Sequence, residues 1–275
     1  MPSIYTHNRF GEQVFKQLPK EMKEHIKPNM TQFRIGLQGP DFLFFYHPLI
    51  KRMPNKLGHA QHKAPAKDFF EPLLPLLRRL GYDSAEYAYA IGYICHFMLD
   101  SESHGYVNKK SKENGFNHLV MEIEFDWYLM ELDGINPLTY PIWNYVPRDT
   151  KTIKTISHIY RKLGIKEKQI AVSLKGMHFY KKLFTTGKSL KRFLIRAGMK
   201  LTLCYRELEG HMMNLVPQNS SKITNPKLMD CYERAIPKTV DIICEFHNGL
   251  FAEAPLNPRF SCNFQNNSSK EMKQI

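Results

Sequence analysis

His96, Asp100 and His104 stand four residues apart, and His118 and Glu122 repeat that spacing further along the chain. Side chains four apart on a helix project from one face, about one turn above each other. Each set therefore makes a polar column if its segment is helical. Two such helices packed antiparallel would bring three imidazoles and two carboxylates together, a donor mixture that suits zinc. Around the first column stand Ile94, Cys95, Phe97, Met98 and Leu99, all apolar. A carboxylate ionised in such surroundings needs a compensating partner, which a divalent cation would supply. One His–x3–Asp pair alone is usually a hydrogen-bonded surface pair. Two consecutive helices with such pairs, and His104 one turn on, favour a metal site.

Further candidates lie upstream. His7 follows Thr6 in what reads as the first turn of a helix. Asp41 sits in Gly39-Pro40-Asp41, a turn-like setting that holds a carboxylate rigidly, and His59 and His62 share one short stretch after Gly58. Singly, each is an ordinary loop residue. Together they could complete a shell that two helices leave open. His158 and His211 fall outside the set and are expected to tolerate alanine without loss of metal.

The elements that must position these residues read as helices. Thr6 is the expected N-cap of a helix ending near Gln17 before Pro19. Gly36 to Pro65, rich in Gly, Pro, Asn and His, reads as a long irregular loop. Asp68 to Leu80 is expected to be a helix closed by Gly81. Asp83 or Ser84 would cap the next, running to about Tyr106, with Ala88 and Gly92 small enough for a neighbouring helix to approach. Another covers about Asn117 to Leu132, followed by a Pro-punctuated segment to Pro147. From Lys188 to Leu215 an apolar stripe (Leu190, Phe193, Leu194, Ala197, Leu201, Cys204, Leu208, Leu215) marks a further helix. The last, about Pro226 to Phe251, carries Pro237 and is expected to kink or break there. With no strand alternation or internal repeat, the chain reads as all-α: one helical domain over 1–255 and a polar, partly disordered tail over 256–275.

Composition is that of an ordinary globular protein, with 43% hydrophobic and 24% charged residues in 275. A formal net charge of +13 favours anionic partners without choosing among phosphate esters, lipid surfaces and nucleic acid. The first residues lack the apolar core of a signal peptide. Five scattered cysteines with no CxxC pair argue for a reducing compartment, so a cytoplasmic location is expected. Lys181 to Lys200 interleaves basic and apolar residues as an interfacial helix would. The reading adopted for it is a solvated face on a core helix.

Taken in order, Thr6-His7, Gly39-Pro40-Asp41, Gly58-x3-His62, His96-x3-Asp100-x3-His104 and His118-x3-Glu122 resemble the zinc-dependent phospholipase C family. That family is related more distantly to the P1-type, single-strand-specific zinc nucleases. The resemblance covers about residues 5 to 126. It implies an all-α helical bundle of the phospholipase C and P1 nuclease type, holding two or three Zn²⁺ per chain. In its terms Asp41, His62, His96 and Asp100 would hold one zinc, and His104, His118 and Glu122 the second. His7 would help hold a third, with Asp100 bridging. Either His59 or His62 could serve the loop position. Secreted members complete the third site with an N-terminal Trp, which this chain lacks; the amine of Pro2, freed by removal of Met1, stands closer to His7 than that arrangement requires.

The chemistry implied is hydrolysis of a phosphodiester. Three Zn²⁺ against the charges of Asp41, Asp100 and Glu122 leave surplus positive charge to polarise the ester and lower the pKa of bound water. Asp41 could act as ligand, general base or both. The expected substrate is a phospholipid headgroup or a related phosphodiester; the basic, apolar-interleaved segment leaves peripheral membrane contact open. The competing readings are a non-catalytic helical scaffold with structural zinc and an acidic partner, and a zinc-dependent nuclease, for which base-stacking aromatics cannot be located.

Overall fold

The helix bearing His96, Asp100 and His104 is the axis of the molecule. In the computed structural model, which describes residues 4–48, 50, 52–114, 117–201 and 209–266, it spans Ala85–Asn114 and is here called α6. Before it come α1 (Ile4–Gln17), α2 (Lys20–Ile26), α3 (Met30–Gly36), α4 (Met53–Lys63) and α5 (Lys67–Leu80). After it come α7 (His118–Leu132), α8 (Thr150–Tyr160), α9 (Glu167–Phe184), α10 (Ser189–Leu201) and α11 (Ser221–Phe251). Short 3₁₀ turns join several of them, and among the described residues there is no strand.

Tyr87, Tyr89, Ile91, Tyr93, Ile94 and Phe97 of α6 are all buried, so apolar side chains surround the helix. Ser84 starts it, its hydroxyl accepting the Tyr87 N–H at 3.1 Å. The helix continues past the expected end near Tyr106, where Val107 is buried and Lys109 and Lys110 pair with Glu113 on the exposed side. Gly92 has the role its size suggested. A methyl there would sit 2.1 Å from the Phe33 carbonyl oxygen, and one on Gly36 would sit 2.3 Å from that of Tyr89. Helices α3 and α6 therefore cross with their backbones in contact.

Several expectations are corrected. Gly36 to Pro65 is not irregular: it holds a 3₁₀ turn over Asp41–Phe45 and the helix α4, which carries His59 and His62. Pro54 lies in the first turn of α4, where a missing N–H costs little. Asn55 ties helix to turn by donating to the Leu43 and Phe44 carbonyls. Thr6 is no N-cap, because α1 begins at Ile4. Helix α11 passes through Pro237 unbroken, with Ala235, Ile236, Ile242 and Ile243 buried around it. By contrast α7 lies where expected, with Asn117 as its cap accepting from the Leu119 and Val120 N–H groups, and Gly81 ends α5 at φ +80°.

The stripe expected to face the core from Lys188 to Leu215 faces outward. Leu190, Phe193, Leu194 and Leu201 of α10 are 71, 68, 60 and 85% exposed, whereas Arg192 is buried. Helix α10 is described to Leu201, and Glu209–His211 forms a 3₁₀ turn. Cys204 and Leu208 lie outside the described residues. The expected tail also differs at its start. Phe260 and Phe264 are buried, Phe260 against Phe70 and Phe97, and Phe264 against Phe97. Packing thus extends beyond residue 255 to Phe264, while residues 267–275 lie outside the description. No described helix is long and apolar enough to cross a membrane.

Candidate metal centre

Four parts of the fold converge on the polar column of α6. From α1 comes His7, its ring stacked on His96 with centroids 4.3 Å apart and its Nε2 3.2 Å from Asp100 Oδ1. The position of α1 is set by Asp126 of α7, a fully buried carboxylate that accepts the Tyr5 and Thr6 N–H groups and the Thr6 hydroxyl at 2.6–3.2 Å. An anion at the start of a helix meets both the unpaired N–H groups and the positive end of the dipole.

Asp41 follows a turn that needs glycine. Gly39 has φ +49°, and a methyl on it would meet His96 Cδ2 at 2.2 Å. His62, from α4, places Nε2 3.1 Å from Asp41 Oδ1 and 3.9 Å from Asp100 Oδ2. His59 instead lies exposed against the Phe44 ring, so the loop pair is separated in favour of His62. His96 Nε2 is 3.4 Å from Asp100 Oδ2. On the other side of Asp100, the Nε2 atoms of both His104 and His118 reach Glu122 Oε1 at 2.9 Å.

All the expected metal ligands are therefore brought together. They fall into three groups that could each hold an ion: His7, His96 and Asp100; Asp41, His62 and His96; and His104, His118 and Glu122. Orientation of the imidazoles fits that use. Nδ1 of His62, His96 and His104 donates to the carbonyl oxygens of Gly58, Leu37 and Phe264 at 2.8, 3.2 and 3.1 Å. A carbonyl can only accept, so Nδ1 carries a proton in all three rings, and whenever such a ring is neutral its lone pair lies on Nε2, toward the carboxylates. His7 Nδ1, Asp41 Oδ1, His62 Nε2, His96 Nε2 and Asp100 Oδ2 are buried with no hydrogen-bond partner. Buried polar atoms left unsatisfied are costly. So many in one place is what a cation site leaves when protein atoms alone are counted. A cavity of about 30 Å³, lined in part by His7, Asp100, His104 and Glu122, is large enough for a single small occupant.

Protonation is divided sharply within the cluster. Burial pushes His96 down to about 4, leaving it neutral at pH 7. Burial also acts against a charged His104, but the carboxylates of Asp100 and Glu122 outweigh it and raise that ring to about 9. Against the same burial, the surrounding imidazoles hold Asp100 well below the ordinary carboxylate range, and nearby positive charge, to which His118 and His104 contribute, lowers Glu122 too.

The family model for zinc dependent phospholipase C matches residues 6–178, well over half of the chain. The chain belongs to this family. No curated protein and no solved structure matches it. As a member of a zinc-dependent phospholipase family it is expected to be a hydrolase, and the ligand-rich cluster lies wholly within the matched segment.

Other residues at the centre of this phospholipase C-family chain carry no spacing signal. Phe264 is one: besides its carbonyl on His104, its ring lies 4.8 Å from His62 and 5.6 Å from His96. Its only trace in the sequence is a pair of phenylalanines, Phe260 and Phe264, in an otherwise polar ending. Lys181 of α9, also without a spacing signal, stands against the Asp41–Phe45 turn with its Nζ 6.0 Å from the centre of the Phe45 ring. It is buried, and burial holds its ammonium below the usual value despite the fields of Asp126, Asp41 and Glu122. Of the two control histidines, His158 is exposed and pairs with Glu86 away from the cluster. His211 is nearer than expected, stacked on Phe184 and 6.3 Å from the Phe45 ring.

Proposed function

We propose that the chain is a zinc-dependent phosphodiesterase of phospholipase C type, acting on a phospholipid or a related phosphodiester. The observation that carries the reading is the knot of buried, unpartnered donor atoms on His7, Asp41, His62, His96 and Asp100, beside the His104, His118 and Glu122 group. In this reading His104, His118 and Glu122 hold one zinc. Asp41, His62 and His96, with Asp100 beside them, hold a second. His7 and Asp100 serve a third, whose completion from residues 1–3 lies outside the described part of the chain.

Zinc held there would supply positive charge to the phosphoryl oxygens and make bound water acidic. The residues supply the remainder. Backbone carbonyls fix three imidazoles, Asp100 sits between the groups, and Asp41 offers a carboxylate able to bind metal or accept a proton. The centre's burial keeps bulk water from screening these charges. The free thiols of Cys95, Cys231, Cys244 and Cys262 support a cytoplasmic setting.

Elemental analysis of the purified chain, with hydrolysis of a chromogenic phosphocholine ester, tests the reading. At least two zinc ions per chain and hydrolysis lost in Asp100→Ala are expected. One ion or none, or an Asp100→Ala protein with full metal and activity, would overturn it. Cleavage of single-stranded DNA in preference to the ester would assign the centre to nuclease chemistry instead.

A further inference from the structure

Helix α10 is amphipathic with its apolar side outward. Leu190, Phe193, Leu194 and Leu201 project into solvent, while the opposite face holds the helix to the protein. On that inner face Met199 packs with Phe184 and Met212 in a small cluster separate from the main core. Arg192 is turned inward too, donating to the carbonyl oxygens of Thr186 at 2.9 Å and Met213 at 2.7 Å. These two bonds fix the register. A rotation that buried Phe193 and Leu194 would pull the guanidinium from both carbonyls, so the exposed stripe is built in.

The charge around the stripe is of one sign. From Lys168 to Leu201 the chain has nine Lys or Arg residues and no Asp or Glu. Lys182, Lys188 and Lys200 are exposed and Lys191 and Arg196 half-exposed. A second copy docked face to face would bring these cations together, which disfavours self-association through this face. An anionic bilayer surface matches both features. Apolar side chains enter the boundary between headgroups and acyl chains while the ammonium groups meet lipid phosphates.

The geometry points to α10 as a docking element for anionic membranes, placed beside the metal centre. The connection runs through α9, whose buried Lys181 has its Nζ 6.0 Å from the centre of the Phe45 ring, and through Tyr180 and Phe184. Tyr180 and His211 contact Phe45, four residues beyond Asp41, and His211 stacks on Phe184. Docking through α10 would hold the wall of the site against the lipid surface. The biological use of this surface rests on the phosphodiesterase reading, since it narrows the substrate to a lipid within a bilayer; the binding itself does not.

The test uses the zinc-loaded full chain and sedimentation with phosphatidylcholine vesicles, with or without phosphatidylglycerol. Binding about tenfold or more tighter to the anionic vesicles, weakened by added salt, is expected. Phe193→Glu/Leu194→Glu should lose that binding while keeping the melting temperature and hydrolysis of the soluble ester. Should the double variant melt early, Leu194→Cys carrying an environment-sensitive dye replaces it, and a blue shift on adding anionic vesicles is expected. No vesicle binding, binding unchanged in a folded double variant, no dye shift, or a wild-type dimer that the variant dissociates would each overturn the proposal. Because sedimentation needs no turnover, an inactive chain that still binds separates failure of the catalytic reading from failure of this one.

Discussion

Nδ1 of His104 donates to the carbonyl oxygen of Phe264, 160 residues away in sequence, at 3.1 Å. The same contact sets the imidazole's tautomer and places the Phe264 ring over His62 and His96. Phe264→Ala would keep the carbonyl but remove the ring that seals it. A cost of about 3 kcal/mol in stability is expected, as for other buried aromatic truncations. Zinc affinity should fall by about tenfold or more as the His104 partner loosens. Thermal melts and competition with a chelator measure the two. Unchanged affinity in a destabilised protein would restrict Phe264 to packing.

Gly39 tolerates no side chain for two independent reasons: its φ of +49° and the His96 ring 2.2 Å from an added methyl. Gly39→Ala is expected to displace His96 or the Asp41 turn and cost more than about 1 kcal/mol. Bound zinc per chain should drop. Gly105 and Gly198, where an added methyl meets nothing within 4 Å, supply the contrast. Full zinc content in Gly39→Ala would show that the ring can yield.

Asp126 belongs to none of the three candidate metal groups, yet it sets where His7 lies. Asp126→Ala strands the Tyr5 and Thr6 N–H groups at a buried helix start. A loss of about 2–3 kcal/mol is expected. The weakest-held zinc should leave first, with His104, His118 and Glu122 still occupied. Stepwise chelation followed by metal analysis distinguishes this from a uniform loss.

Metal binding should release protons. Without metal, His104 titrates near 9 and is charged at pH 7, whereas a ligand must be neutral. Calorimetry at pH 7 in buffers of different ionisation enthalpy is expected to show about one proton leaving per chain from this ring. The release should fade as the pH passes 9. The metal-free chain follows the opposite signs of its two shifted histidines. His104, raised above 6.5, contributes stability that is lost as pH rises from 6.5 through 9. His96, lowered to about 4, disfavours the fold increasingly as pH falls from 6.5 toward 4. Metal-free stability should therefore peak near the ordinary imidazole value, and a monotonic pH profile would contradict the assignment.

Helical periodicity made the two His–carboxylate columns legible because both members of each pair lie on one continuous element. Gly92 was readable for a similar reason, since only a small residue lets two helices touch. The stretch containing His62 was not. Its Pro, Gly and Asn residues look like loop composition, although Pro54 and Asn55 begin α4 and tie it to the turn before it. Helix α10 shows the limit of an apolar stripe. Periodicity reports that a helix has two faces, but only tertiary bonds such as those of Arg192 decide which faces inward. Phe264 was hidden differently: a backbone carbonyl has no residue signature at all.

The union of His7 and Phe264 at one centre has a consequence in time. Helix α1 and the last packed segment meet there, so the ligand set cannot be complete until nearly all of the described chain has found its place. Contacts so distant in sequence form late, because their loop closure must be overcome first. Zinc would then act as a latch on a finished fold rather than a seed for it. It should slow unfolding greatly while leaving the folding rate almost unchanged, and chelation should shorten the life of the native state.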